Sequence, residues 1–267
     1  MFKRHNGTAF LDIETIKRYD GSKWVECESA KRWDGSGWTE VWSNIKGDRL
    51  FTSSGTLSAN FKLEEREKDS LAVIETTVVT FPVIPEDMGG IRKRLFFCTA
   101  QNDNKIYEYG LKAKAIINTS RKFSNTPLAV GGSDGYLVAY LAPQGLMTFN
   151  PDTLEPITYG ETVSYETIYG IDGISDGTIM MSLSQLDGDE SNWKYADIIN
   201  VSAEPSVGGI YSQSTYTAYG LGGCVSRWFS YSGFMIQEMP KPVSNTITFI
   251  NRVNTSPNRV LRMGGVK

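Results

Sequence analysis

The feature that most constrains this chain is a short unit that returns three times near its N-terminus. Lys3-Arg4-His5-Asn6-Gly7, Lys17-Arg18-Tyr19-Asp20-Gly21 and Lys31-Arg32-Trp33-Asp34-Gly35 follow one another at a constant step of 14 residues. Asn-Gly and Asp-Gly accept the positive φ of a tight turn at little cost. Ring-bearing residues flank each turn: His5 and Phe10, Tyr19 and Trp24, Trp33 and Trp38. A four-residue loop such as Asp34-Gly35-Ser36-Gly37 sets Trp33 directly across from Trp38, a cross-strand pair that contributes roughly 0.2 to 1 kcal/mol. The fixed step therefore predicts three β-hairpins. One two-stranded hairpin is marginal in water, so the three must pack on one another, on the rest of the chain or on another protein. Residues 1–45 are thus expected to form an anchoring or oligomerisation module, with Tyr19, Trp24, Trp33, Trp38 and Trp42 as its contact rings. A small sheet capping its own domain is the alternative.

Tandem units of the form Lys-Arg-aromatic-Asp-Gly-Ser-x-Trp-Val resemble the short repeats of virion and tail proteins of phages that infect Gram-positive bacteria. The resemblance covers about residues 3 to 43. It implies a phage or prophage structural protein that docks on a tail or baseplate and projects its remaining domain outward. By the same resemblance the expected partners are other virion proteins or further copies of this chain as a homo-oligomer, with cell-surface carbohydrate as a possible ligand.

The 267 residues are enough to bury a hydrophobic core without disulfide or metal staples. With 27 basic and 30 acidic residues the net charge is -3, so no positive field favours nucleic acid or anionic membrane, and neither is expected as a partner. The basic, polar start from Met1 to Thr8 lacks a signal peptide's apolar run, and no stretch approaches a membrane span. The chain is expected to be made in the bacterial host cytoplasm and assembled into a virion. Cys27, Cys98 and Cys224 lie far apart and read as reduced, packed thiols.

Residues 46–267 are read as one further domain, β from Ala72 onward and rich in Gly, Tyr, Phe and Thr. A weaker period appears in Ser133-Asp134-Gly135 and Ser175-Asp176-Gly177, 42 residues apart and each between apolar strands. That distance matches one four-stranded propeller blade. The stretch Leu146–Ile157 looks like the hairpin joining the outer two strands of a blade. Gln101-Asn102-Asp103-Asn104 and Gly222-Gly223 are read as turns within two further blades. A five-bladed propeller is the expectation, and a jelly-roll or other β-sandwich is the alternative. The charged run Phe61–Asp69 is read as a solvated loop or short helix.

Catalytic motifs are absent. The single histidine, His5, sits in a hairpin repeat, so serine- or cysteine-type hydrolysis has no base, and no phosphate loop, H-E-x-x-H or dinucleotide fingerprint occurs. No cofactor and no catalytic residue are assigned. A glycosidase or depolymerase needs only two convergent carboxylates and survives as the enzyme alternative, with Asp172 and Asp176 nearest a core strand. Asp187, Asp189 and Ser191 have the spacing that begins a calcium loop, but Asn192 replaces the expected glycine, which favours a hairpin tip. Trp193, Tyr195, Trp228 and Tyr231 are candidate ligand-binding rings, but strand aromatics usually pack against a neighbouring sheet, and core packing is the favoured reading.

Overall fold

The computed structural model describes the chain except residues 1–2, 6–9, 13–16, 20, 27–28, 34–37, 44–48, 55–57, 134, 161–166, 185–192, 214–218, 225, 233–234, 240–245, 248–250 and 256–259. Among the described residues every regular element is a strand. The chain divides into two compact units, Met1–Lys46 and Gly47–Lys267.

The first unit holds three separate two-stranded antiparallel sheets. They are β1 (Lys3–His5) with β2 (Phe10–Asp12), β3 (Lys17–Tyr19) with β4 (Trp24–Glu26), and β5 (Ser29–Trp33) with β6 (Trp38–Ser43). The register places His5 opposite Phe10, Tyr19 opposite Trp24 and Trp33 opposite Trp38, as the 14-residue step predicts. A second regularity escaped the sequence reading. Two residues farther from each turn, a lysine faces an acid: Lys3 and Asp12, Lys17 and Glu26, Lys31 and Glu40. Opposite charges at paired positions favour this register over a slipped one.

The second unit begins with β7 (Arg49–Ser54), β8 (Asn60–Arg66) and β9 (Val73–Thr80). A four-stranded sheet follows: β10 (Pro85–Ile91), β11 (Arg94–Thr99), β12 (Ile106–Gly110) and β13 (Ala115–Thr119). The next contains β14 (Thr126–Ser133), β15 (Tyr136–Ala142), β16 (Gly145–Phe149) and β17 (Pro156–Tyr159). After it come β18 (Thr167–Gly173), β19 (Ile179–Ser184), β20 (Trp193–Ile199) and β21 (Ser206–Gln213), then β22 (Tyr219–Gly223), β23 (Trp228–Ser232) and β24 (Met235–Met239). The chain finishes with β25 (Thr246–Ile247), β26 (Asn251–Asn254) and β27 (Val260–Val266). β26 completes the sheet β22-β23-β24-β26, while β25 adds in parallel to the outer edge of β21 as a fifth strand.

β27 returns to the start, pairing with β7 from Val260 opposite Ser54 to Val266 opposite Arg49, so the first blade has the order β27-β7-β8-β9. The inner strands β27, β10, β14, β18 and β22 pack each on the next around a closed ring. The unit is a five-bladed β-propeller, as the 42-residue period anticipated.

The core lies between blades. Five buried clusters correspond to the five blade interfaces, such as Phe61, Phe81, Phe97 and Tyr107 between blades 1 and 2. There the rings meet mostly edge to face, Phe61 and Phe97 with centroids 5.6 Å apart. The stretch Leu146–Ile157 does form the outer hairpin of its blade, β16 to β17, and Gln101–Asn104 turns between β11 and β12.

Two expectations are corrected. Most of the charged run Phe61–Asp69 is strand β8, central in its blade. Phe61 and Leu63 enter the blade 1–2 core, while Glu64 and Arg66 are both buried on the other face. Arg66 Nη2 donates to Glu64 Oε2 at 2.7 Å, its Nε to Thr52 Oγ1 at 2.7 Å and its Nη1 to the Leu71 carbonyl at 2.8 Å. The charges enter the sheet because each is paired and hydrogen-bonded there. Gly222-Gly223, read as a turn, lies within strand β22, for the reason given next.

Candidate functional sites

An innermost propeller strand has no neighbour on its axial edge, so the N–H and C=O groups there need other partners. The five inner strands answer with one motif, an apolar residue followed by two small ones. Its copies are Met88-Gly89-Gly90, Val130-Gly131-Gly132, Ile171-Asp172-Gly173, Leu221-Gly222-Gly223 and Met263-Gly264-Gly265, at steps of 42, 41, 50 and 42 residues. Close approach demands the glycines. A Cβ on Gly223 would stand 1.7 Å from the Gly173 carbonyl oxygen, and one on Gly265 would stand 2.0 Å from that of Gly223.

Blade 4 breaks the motif with Asp172, and that carboxylate gathers the axial amides of its neighbours. Its Oδ1 accepts from Gly90 N at 3.3 Å and Gly173 N at 2.9 Å; its Oδ2 accepts from Gly223 N at 2.7 Å and Gly265 N at 2.9 Å. Lys267 Nζ lies 2.6 Å from Oδ1 and also donates to the carbonyls of Gly90 and Gly265. Both side chains are 0 % exposed. Burial pushes the Asp172 carboxyl above its ordinary value, while Lys267 and the amides pull the other way.

A second carboxylate, Asp87, repeats the device one position before the motif. Its Oδ2 accepts from Val130 N at 3.1 Å and Ile171 N at 3.3 Å. Burial pushes this group well above the usual carboxylate range, against the amides and the charge of Arg262. Its Oδ1 has no hydrogen-bond partner, nor has Arg262 Nε.

The described axis is therefore filled by the protein's own polar groups. Asp172 cannot meet a substrate, and Asp176 is an exposed turn residue accepting from Thr178 N at 2.9 Å, so these two do not make a hydrolytic pair. Among the described residues, no cluster of three metal-ligating side chains occurs. Asp187, Asp189 and Ser191 lie outside the described residues.

Three of the four candidate ligand-binding rings follow the core-packing reading and leave the list of candidates. Tyr195, Trp228 and Tyr231 are buried, the first two in the blade 4–5 interface and the third in the blade 5–1 interface. Tyr195 donates its hydroxyl to Ser230 Oγ at 2.9 Å across the blades. Burial between sheets is what strand aromatics offer a propeller, and these three are spent on it. Trp193 opens strand β20, and its side chain lies outside the described residues. Cys98 and Cys224 are buried thiols outside any disulfide, and Cys27 lies outside the described residues. Between blades 1 and 2 a cavity of about 20 Å³, lined by Phe51, Leu63, Glu65, Glu75, Tyr109 and Lys114, has room for little beyond a water.

No family model matches this chain, and no curated protein does. Among solved structures it is similar to U3-55K, at 6% identity over 78% of each chain with a TM-score of 0.47. It is similar to the RRP9 WD40 repeats at 7% identity over 78% of this chain and 77% of that one, TM-score 0.47. A protein of unknown function from Bacteroides caccae aligns at 11% identity over 78% and 73%, TM-score 0.43. At these identities the blade count rests on the strand pairing described above.

In the hairpin unit, Tyr19 and Trp24 are 57% and 69% exposed, with ring centroids 5.6 Å apart and planes tilted by 58°. Trp33 and Trp38 occupy the same register positions in the third hairpin, and Trp42 pairs with Ala30 farther along it.

The five-copy motif, an apolar residue followed in four copies by two glycines, is legible in the sequence and marks every blade, whereas the Ser-Asp-Gly turns mark two blades only. The substitution of Asp172 for glycine hid the copy that carries the axial chemistry.

Proposed function

We propose that this chain is a non-enzymatic phage or prophage virion protein of the tail or baseplate. Its N-terminal hairpins anchor it, and its propeller contacts a host-surface glycan or another virion protein. The observation that carries the reading is the hairpin unit's repeated pairing plan, with an exposed ring pair in Tyr19 and Trp24. A two-stranded hairpin is marginal alone in water, and an exposed aromatic pair such as Tyr19 and Trp24 suits a protein interface. The filled propeller axis supports a scaffold or binding role over hydrolysis at that place.

The test is a particle fraction from an induced culture of the strain that encodes the chain, banded on a density gradient and probed with an antibody against the propeller. The expected result is co-banding with tailed particles at a fixed copy number. A protein found only at the top of the gradient would remove the virion reading.

A further inference from the structure

We infer that the propeller axis is a carboxylate-binding nest, which the native chain occupies with its own Asp172. The inference is independent of the virion reading. Four backbone N–H groups from blades 1, 2, 4 and 5 converge on one carboxylate at 2.7 to 3.3 Å, and Lys267 Nζ completes the shell at 2.6 Å. Convergent amides with a lysine are the ordinary equipment of an anion site.

Three of the four amides belong to strands that do not carry Asp172, and each strand is held from its far edge by its own blade. Gly90 pairs with Leu95, Gly223 with Trp228, and Gly265 with Leu50. The donors are therefore directed at the axis by strand pairing, with or without the Asp172 side chain. The motif also shows what the position looks like without it. The equivalent residues Gly89, Gly131, Gly222 and Gly264 carry no side chain, so a glycine at 172 restores the repeat. Removing the Asp172 side chain takes away one methylene and one carboxylate, the outline of acetate. The ligand class is a small monocarboxylate held by hydrogen bonds and one ammonium, with no room for a bulky substituent among strands that approach within a Cβ radius.

The test is chemical rescue on the full-length chain. Asp172→Gly is refolded and melted across a sodium acetate series, against sodium chloride at the same ionic strength and against sodium benzoate. The expected result is a saturable rise in melting temperature and in refolded yield with acetate, smaller with formate, and none with chloride or benzoate. Wild type and Asp172→Asn, whose side chains fill the nest, are expected not to respond. In amide spectra of the rescued variant, Gly90, Gly173, Gly223 and Gly265 are expected to shift with acetate. An Asp172→Gly protein that gains nothing from acetate, whether it folds without it or stays unfolded with it, would overturn the inference. So would an equal gain in Asp172→Asn, which would trace the effect to the surface.

Discussion

Asp87 has an environment that opposes its own charge. Burial pushes its carboxyl well up, and its Oδ1 lacks a partner, while Val130 and Ile171 serve only Oδ2. In the unfolded chain the same group releases its proton near pH 4. Between that pH and the raised folded value the native state holds more protons than the unfolded one. Stability contributed by this site is therefore full below about pH 4 and declines as pH rises through the folded value, at up to about 1.4 kcal/mol per pH unit. Asp87→Asn keeps an acceptor oxygen for the two amides and cannot ionise. Its stability relative to wild type, from urea titrations between pH 4 and pH 8, is expected to improve as pH rises above about 4, until the folded value of Asp87 is passed. A flat difference would mean that Asp87 is ionised in the fold throughout.

At the scale of the strand, the inner-strand motif makes a matched pair of predictions. A Cβ at Gly131 would lie 1.9 Å from the Ile171 carbonyl oxygen of the next blade, and backbone cannot yield as a side-chain tip can. Gly131→Ala is expected to lose several kcal/mol or fail to give folded protein, as overpacking at a rigid contact does. At Gly135, in the turn between β14 and β15, a Cβ meets nothing within 4 Å, and Gly135→Ala is expected to stay within about 0.5 kcal/mol of wild type in the same denaturation assay. The two glycines stand four residues apart in sequence, which shows what could and could not be read there. Local chemistry was legible: the pairing of the rings that flank each hairpin turn, the outer hairpin β16–β17 and the 42-residue period. Glu64 and Arg66 were misread because an ion pair two residues apart on one face of a strand looks, in sequence, like any solvated charge run. The axial role of Asp172, as distinct from its place on an inner strand, was hidden for a related reason. Its partners Gly90, Gly223, Gly265 and Lys267 come from other blades, and no local window contains them.

For the whole molecule the decisive joint is the pairing of β27 with β7, which joins the last strand to the first blade. β27 is an inner strand, so it contacts blades 2 and 5 as well as its own, and Lys267 just beyond it supplies the cation for Asp172. Deleting residues 260–267 would leave β7 with an open axial edge, Asp172 buried without its counter-charge and the blade 5–1 cluster without Val260 and Met263. Breaking a buried ion pair by removing one partner alone costs about 3–5 kcal/mol, a large part of the stability of a domain. The deletion is therefore expected to abolish the cooperative thermal transition of the entire propeller, even though four sheets keep all their strands. Deleting residues 1–46 removes no strand from the ring, and the propeller is expected to melt as one unit within a few degrees of the full chain. Differential scanning calorimetry of both truncations decides the matter. A C-terminal deletion that still melted sharply near the wild-type temperature would show that the ring does not depend on its closing strand.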